Sequence, residues 1–190
     1  MEKIIHEDRL FEKTTYSGAE LKNQEFEKCT FKQCDFSNSN LSGVRFSDCI
    51  FVNCNLALAK LNNTGFRAVL FKECKLIGLN FFECEHFLFH VGFENSILDY
   101  ASFMNKKMTQ TKFSNTSLRD VNFTNCNLSN SEFNRTDLSG ALFHKTQLKQ
   151  ADFTTAFNFI IDPSLNDLKK AKFSLQGLPG LLASHDICIS

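Results

Sequence analysis

Residues 115–151 read NTSLRDVNFTNCNLSNSEFNRTDLSGALFHKTQLKQA, and every fifth position holds a large apolar residue. These central residues are Leu118, Phe123, Leu128, Phe133, Leu138, Phe143 and Leu148. A smaller residue, such as Thr, Cys, Ser, Ala or Val, stands two positions before each of them. A period of five fits neither the 3.6 of an amphipathic helix nor the 2 of a strand, so it predicts a repeat architecture.

The same period extends towards both ends of the chain. It begins at Phe11 and runs unbroken to Phe81. The frame then slips by two residues within 82–87, and it resumes at Leu88 and continues to Phe153. The repeat region is therefore expected to cover residues 1–156, including a short N-terminal cap, with a bulge at 82–93.

Several pentapeptides resemble the consensus of the pentapeptide repeat proteins. The triplets CDF at 34–36, CNL at 54–56, VNF at 121–123 and ADF at 151–153 match it fully. This resemblance implies an all-β fold, a right-handed quadrilateral β-helix with four pentapeptides per coil and one pentapeptide per side. It also implies a short helical cap at the C-terminus.

A coil of twenty residues can be tested on the sequence, because it stacks equivalent residues into columns. Allowing for the slip, one column holds phenylalanine throughout: Phe11, Phe31, Phe51, Phe71, Phe93, Phe113, Phe133 and Phe153. A second column is expected to pass from Phe66 through Leu88 to Met108. Columns keep their residue type better than the chain does, so the sequence supports about seven coils with these phenylalanines as the structural core.

The composition narrows the classes of function. Lys plus Arg and Asp plus Glu are both 21, so no bulk charge favours direct binding of nucleic acid. No stretch has the roughly 20 apolar residues of a membrane span, and residues 1–13 are too charged for a signal peptide. We therefore expect a cytoplasmic protein that binds neither nucleic acid nor membrane.

Most of the eight cysteines stand two residues before a central residue. These are Cys29, Cys34, Cys49, Cys54, Cys74 and Cys126. Free cysteine behaves as a small buried hydrophobe, so the pattern indicates interior filler and reduced thiols rather than a disulfide framework.

The slip at 82–93 coincides with a change in charge. No Lys or Arg occurs between Lys75 and Lys106, while the acidic residues of this stretch are Glu83, Glu85, Glu94 and Asp99. The sequence predicts that they form an acidic band and a candidate partner-binding site, bordered by basic residues that include Lys106 and Lys107. A solvated acidic surface without a role is the alternative.

Residues 157–190 read FNFIIDPSLNDLKKAKFSLQGLPGLLASHDICIS and lack an obvious repeat. Ser164 is expected to cap a short helix over 165–171, and residues 187–189 to form a terminal strand. Apolar residues of this segment are expected to cap the open end and to form a dimerisation segment. The candidate contacts are Leu175, Leu178, Leu181, Leu182, Ile187 and Ile189.

No catalytic constellation is found in the sequence. The glycines are scattered, and His86 and His90, although four apart, lie in a stretch not expected to be helical. A convex rod also lacks the concave site that enzymes use. We therefore expect no catalytic residue, no metal and no cofactor, and a protein that is not an enzyme.

Within the family, the repeat pattern and tail resemble the quinolone-resistance subgroup. That resemblance implies a homodimeric rod that mimics DNA, binds DNA gyrase or topoisomerase IV, and protects the enzyme from quinolones or toxins. The balanced charge departs from the acidic character of DNA mimics. A structural or interaction scaffold with an unrelated protein partner is the alternative.

Overall fold

The computed structural model describes residues 4–185 and residue 187. The chain winds into a four-sided β-helix in which every strand pairs in parallel with the strand one coil away. The pairing register joins residues twenty apart, as in Phe11↔Phe31 and Phe31↔Phe51. The quadrilateral β-helix expected from the sequence is confirmed.

We name each side after its first central residue: the Phe11, Tyr16, Leu21 and Phe26 sides. The Phe11 side is a nine-stranded sheet. Its strands are β2 (Leu10–Glu12), β4 (Thr30–Lys32), β6 (Ile50–Val52), β8 (Val69–Lys72), β9 (Val91–Glu94), β10 (Lys112–Ser114), β11 (Glu132–Asn134), β12 (Asp152–Phe153) and β13 (Lys172–Phe173). Nine strands on one side correspond to about eight turns, rather than the seven expected, and to a rod of about 38 Å.

The Phe26 side carries a four-stranded sheet at the N-terminal end of the rod. Its strands are β1 (Ile4–Glu7), β3 (Gln24–Glu27), β5 (Arg45–Ser47) and β7 (Gly65–Arg67). The Tyr16 and Leu21 sides are held by single bridges such as Asp35↔Asn55 and Asn80↔Ser102. The sheet of the Phe26 side ends at β7, one coil before the frame slip at 82–87.

Stacked phenylalanine rings fill the interior beneath the Phe11 side. Successive rings lie 4.6 Å apart for Phe31 and Phe51, and 4.4 Å for Phe133 and Phe153, with nearly parallel planes. Rings from adjacent columns meet edge to face, as Phe113 does with Phe123. Offset and edge-to-face contacts are the favoured aromatic geometries, so identical residues one coil apart stabilise each other.

The ladder continues past residue 156, the expected end of the β-helix. Phe173 of β13 pairs with Phe153 and stacks 5.2 Å from it. The period of five did not predict this last coil, because its central positions 158 and 163 hold Asn and Pro. The buried residues here are Phe159 and Ile161, which lie outside the frame. The stacked coil thus extends to the cap.

The helix predicted over 165–171 is wrong. Turns and the bridge Gln147↔Asp167 occupy this stretch, and the Ser164 hydroxyl donates to Asp162 Oδ1 at 2.7 Å. Pairing with the coil below satisfies the backbone here without a helix. The helical cap lies further on, in α1 (Leu178–Leu182), flanked by short 3₁₀ helices at Leu175–Gly177 and Ala183–His185.

Most corners of the coil use a residue in the left-handed region, two positions after the central residue. Examples are Asn38 (φ 55°), Asn63 (φ 53°) and Gly140 (φ 67°). Asn, Asp and Gly tolerate this conformation best, which explains their frequency at these positions. Leu58 and Tyr100 adopt it as well, with φ of 58° and 63°.

Candidate partner-binding surface

The frame slip reshapes the Phe26 side between residues 81 and 93. Phe81 opens a 3₁₀ helix, Phe81–Glu83, and its ring stacks 4.5 Å from Phe103. After buried Cys84 the chain leaves the wall of the rod, and it rejoins the ladder at β9. Two extra residues are accommodated by this excursion, which we call the bulge.

Phe89, and not Leu88, is the interior residue of the bulge. Leu88 occupies a left-handed corner with φ of 55° and is half exposed, while Phe89 is buried and meets Phe81 edge to face at 6.2 Å. The column expected to pass through Leu88 is therefore wrong at this position. The corner conformation turns the Leu88 side chain outwards.

Lys106 secures the bulge from inside the rod. On the coils below, the carbonyls of Val44 and Thr64 accept backbone N–H groups from Gly65 and Glu85. The next carbonyl in this series, that of Cys84, accepts instead from Lys106 Nζ at 2.6 Å. The ammonium group thus satisfies a backbone acceptor that the slip displaces from the ladder.

The environment of Lys106 is unusual for a lysine. The residue is only 1% exposed, and its Nζ lies 5.2 Å from the centre of the Phe89 ring. Burial lowers the pKa of the Lys106 ammonium. The expectation that Lys106 belongs to a basic surface is therefore wrong. One signal was present in the sequence: Lys106 precedes Met108 by two, a position that other coils reserve for small residues.

At the tip of the bulge, Phe87 projects into solvent with 81% of its surface exposed. Leu88 lies beside it and is half exposed. Apolar side chains are common on surfaces, but a phenylalanine this exposed beside a leucine makes a discrete apolar projection. We call Phe87 and Leu88 the knuckle.

A shallow groove of about 510 Å³ lies along one flank of the knuckle. It is lined by Arg67, Ala68, His86, Phe87, Leu88, Phe89, His90, Lys107 and Thr109. None of these residues is acidic. Arg67 and Lys107 are exposed, and neither forms an ion pair within the described part of the chain. The groove therefore combines apolar surface with free positive charge.

The predicted acidic band is arranged differently from a single site. Glu85 lies on the Phe26 side, Glu94 on the Phe11 side and Asp99 on the Tyr16 side. Glu83 ends the 3₁₀ helix between the Leu21 and Phe26 sides. The four carboxylates thus encircle the rod, and no one flat partner can contact all of them.

Cations and donors of the rod already engage three of these carboxylates. Arg45 bridges Glu25 at 3.1 Å and Glu85 at 2.9 Å, and it crosses Gly65 to reach a coil two levels away. Glu94 pairs with Lys72 at 3.2 Å. Asp99 Oδ1 accepts from the Ser117 hydroxyl at 2.5 Å and from the Arg119 N–H at 3.2 Å.

The C-terminal cap leaves apolar surface exposed. Leu175 is 81% exposed, and Leu178 and Leu182 are partly exposed. Leu181 instead packs against the core, and the Gly180 carbonyl accepts the N–H of Ile161 at 3.0 Å. Ile187 is exposed and lies outside any strand, whereas Cys188 and Ile189 lie outside the described residues. The cap thus closes the rod with one apolar face and presents another.

Across residues 4–185 and 187, no cluster of three His, Cys, Asp or Glu side chains is placed to hold a metal ion. Nor does that part of the chain contain a helix long and apolar enough to cross a membrane.

A family described as a pentapeptide repeat region matches residues 24–103 and 87–153. No curated protein matches the chain. Among solved structures, trypsin-treated QnrB1, a plasmid-mediated fluoroquinolone resistance protein, matches at 19% identity and a TM-score of 0.57, covering 99% of this chain and 98% of that one. HetL, a pentapeptide repeat protein involved in regulating heterocyst differentiation in Nostoc sp. strain PCC 7120, matches at 16% identity, with coverage of 92% and 88% and a TM-score of 0.38.

Proposed function

The chain belongs to the pentapeptide repeat family, and from that premise we propose that it is a non-enzymatic rod that binds a protein partner. The observation that best supports partner binding is the bulge, which interrupts an otherwise continuous wall and exposes Phe87. The buried Lys106 side chain stabilises the bulge by donating a hydrogen bond to the Cys84 carbonyl. Exposed aromatic residues are typical anchors of protein interfaces, and a convex rod offers surface for docking rather than a cleft for catalysis.

The partner we propose is a type II DNA topoisomerase, either DNA gyrase or topoisomerase IV, and the interaction would take place in the cytoplasm. Support comes from the resemblance of repeats and tail to the quinolone-resistance subgroup. The fold of QnrB1, shared over nearly the whole length of both chains, is consistent with it. Under this proposal, the exposed leucines of the cap join two rods into a homodimer.

A supercoiling assay tests this proposal directly. Purified protein is titrated into DNA gyrase and relaxed plasmid, with and without a quinolone, and the same titration is made in decatenation by topoisomerase IV. We expect either inhibition of supercoiling or restoration of activity in the presence of the drug. No effect on either enzyme at tens of micromolar protein would refute the topoisomerase proposal.

The acidic band stays a prediction within this proposal. Reversing the charges of Glu83, Glu85, Glu94 and Asp99 together is expected to abolish the effect on the topoisomerase if the band contacts the enzyme. An unchanged effect would leave the band as solvated surface. The charge reversal also breaks the Arg45 and Lys72 pairs, so the variant's stability is measured alongside.

The alternative function is a scaffold for an unrelated protein partner. The ion pairs of Glu85 and Glu94 favour it, because they neutralise carboxylates that a DNA mimic would present unpaired. The same supercoiling assay separates the two functions, since a scaffold for another partner leaves both topoisomerases unaffected.

A further inference from the structure

We infer that the knuckle and its groove bind an acidic protein segment that carries an apolar side chain. This inference rests on the proposed function as a protein-binding rod, and it specifies the chemistry of the partner. It differs from mimicry of DNA, because the part of the rod proposed to make contact is basic rather than acidic.

Charge is the first ground for this inference. Arg67 and Lys107 line the groove together with His86 and His90, and no carboxylate lines it. Two carboxylates close to it in sequence are engaged elsewhere, since Glu85 binds Arg45 and Glu94 binds Lys72, and Glu83 does not line the groove. Unpaired cations beside neutralised acids leave a local positive field within a protein of zero net charge, and such a field attracts carboxylates.

The apolar character of the knuckle is the second ground. Phe87 and Leu88 expose a joint apolar surface next to the groove, which is also lined by Ala68 and Phe89. A few residues at the centre of an interface, often aromatic, contribute most of its binding energy. Surrounding charges govern specificity and association rate. An apolar side chain of the partner would lie against the ring, with carboxylates near Arg67 and Lys107.

Nucleic acid is the less favoured occupant. Binding to a phosphate backbone draws on many Lys and Arg residues, whereas only Arg67 and Lys107 line this groove. Phe87 is the one exposed phenylalanine in the groove lining, while single strands are held by successive stacked aromatics. A protein segment uses both the ring and the two charges.

The test begins with selection of random displayed peptides on the immobilised full-length protein. We expect the selected peptides to be enriched in Asp and Glu and to contain Phe, Leu or Tyr. Affinities of a selected peptide, labelled with fluorescein, are then measured by anisotropy. Recovery of peptides without excess acidic residues would overturn the inference.

Two variants locate the binding site. Phe87→Ser and the double variant Arg67→Glu, Lys107→Glu are each expected to weaken peptide binding by about tenfold or more. The matched controls are Tyr100→Ser, which removes an exposed aromatic residue elsewhere, and Lys60→Glu with Lys75→Glu, which reverses two other exposed cations. All of these side chains are exposed, so circular dichroism and melting curves should match those of wild type. Equal losses in variants and controls would place binding elsewhere and overturn the inference.

Two further outcomes keep this inference distinct from the proposed function. A fluorescein-labelled single-stranded DNA that binds more tightly than the peptide, and loses affinity with Arg67→Glu, Lys107→Glu, would assign the groove to nucleic acid instead. A wild-type effect on gyrase that Phe87→Ser retains in full would overturn the role of the knuckle and leave the proposed function standing. Loss of both peptide binding and the gyrase effect in Phe87→Ser supports the two together.

Discussion

The small residue two positions before each central residue has a second task besides filling space. Where it is Cys, Ser or Thr, its side chain in many coils donates to a buried carbonyl of the preceding coil, 23 residues earlier: Cys49 Sγ to the Phe26 carbonyl at 3.4 Å, and Thr146 Oγ1 to that of Phe123 at 2.9 Å. Thr116 Oγ1 is an exception, without a partner among the described residues. The hydrogen bonds explain why Cys, Ser and Thr recur where Ala alone would satisfy the volume. The interpretation of the cysteines as interior filler is confirmed by their burial, but the hydrogen bonds were not predicted.

Lys106→Met should destabilise the protein by about 1–3 kcal/mol, because the Cys84 carbonyl loses its donor while the volume of the lysine stem is kept. Urea unfolding monitored by circular dichroism measures the change. Lys107→Met, which alters the exposed neighbour, is the control and should change the stability by less than about 0.5 kcal/mol. A Lys106→Met variant as stable as this control would contradict the role of Lys106.

Buried cysteines should make the fold sensitive to alkali. Burial, the largest cause, raises the pKa of Cys49 and Cys126 to about 12, from an ordinary value of 9.0. The folded protein therefore keeps thiol protons that the unfolded chain loses. The stability from each thiol is fully present below pH 9.0 and is lost as the pH rises towards about 12.

Cys126→Ala tests this dependence. The free energy of unfolding is measured by urea titration across that pH window. Its decrease per pH unit should be smaller in the variant than in wild type by about 1.4 kcal/mol. Ser131→Ala changes an equivalent buried position without a titrating group, and should keep the wild-type slope. Identical slopes for wild type and Cys126→Ala would show that this thiol does not contribute.

Coils are predictable from sequence where the central residue keeps its place, and less so where another residue fills the interior. The period of five and the column from Phe11 to Phe153 gave the correct sides and register. The period of five does not hold at Leu88 and beyond residue 156, because Phe89, Phe159 and Ile161 enter the core outside the frame. Their burial depends on contacts with neighbouring coils, which a fixed period does not encode.

The candidate site was predictable only in its location. The frame slip pointed to residues 82–93, and the exposed knuckle lies there. The acidic residues of the same stretch predict negative charge there, whereas Arg67 and Lys107 line the groove, and Arg45 and Lys72 pair with Glu85 and Glu94 from other coils. Partners that lie two coils away are invisible to a count of charges along the chain.

Corner positions of the coil should differ in their tolerance of side chains. Gly43 and Gly140 both have positive φ, but a Cβ at Gly43 meets open space, whereas a Cβ at Gly140 would overlap the Asp120 carboxylate. Gly43→Ala should cost about 1–2 kcal/mol from the backbone conformation alone. Gly140→Ala should cost roughly 1 kcal/mol more, from overpacking against Asp120. Urea unfolding of both variants measures the difference, and equal losses would show that Asp120 simply moves away.

Part of the charge on the rod is neutralised by ion pairs between neighbouring coils. Ion pairs join residues about twenty apart, on neighbouring coils, as in Lys32–Glu12, Lys112–Glu132 and Lys172–Asp152. Exposed pairs of this kind each contribute little to stability. Other exposed cations, such as Lys60 and Lys75, form no ion pair within the described residues, so what distinguishes the groove of Arg67 and Lys107 is the apolar surface beside its charges.

The cap is expected to make the molecule a dimer in solution. Leu175 and Leu182 expose apolar surface at the end of the rod. Light scattering coupled to size-exclusion chromatography should give the mass of two chains for wild type, and that of one chain for Leu175→Glu combined with Leu182→Glu. The control Leu142→Glu changes an exposed leucine on the wall of the rod and should remain a dimer. A wild-type mass of one chain would refute dimerisation through the cap.

The pairing of residues twenty apart has a further consequence, because it sets distances along the rod in equal steps of one coil. Each coil advances the chain by about 4.8 Å and returns it to the same side. A little more than four coils separate the knuckle from Phe173, the last ring before the cap, so the distance between them is fixed by the number of repeats. Gain or loss of whole coils during evolution would change the reach of the knuckle from the cap in even steps, without rotating it to another side.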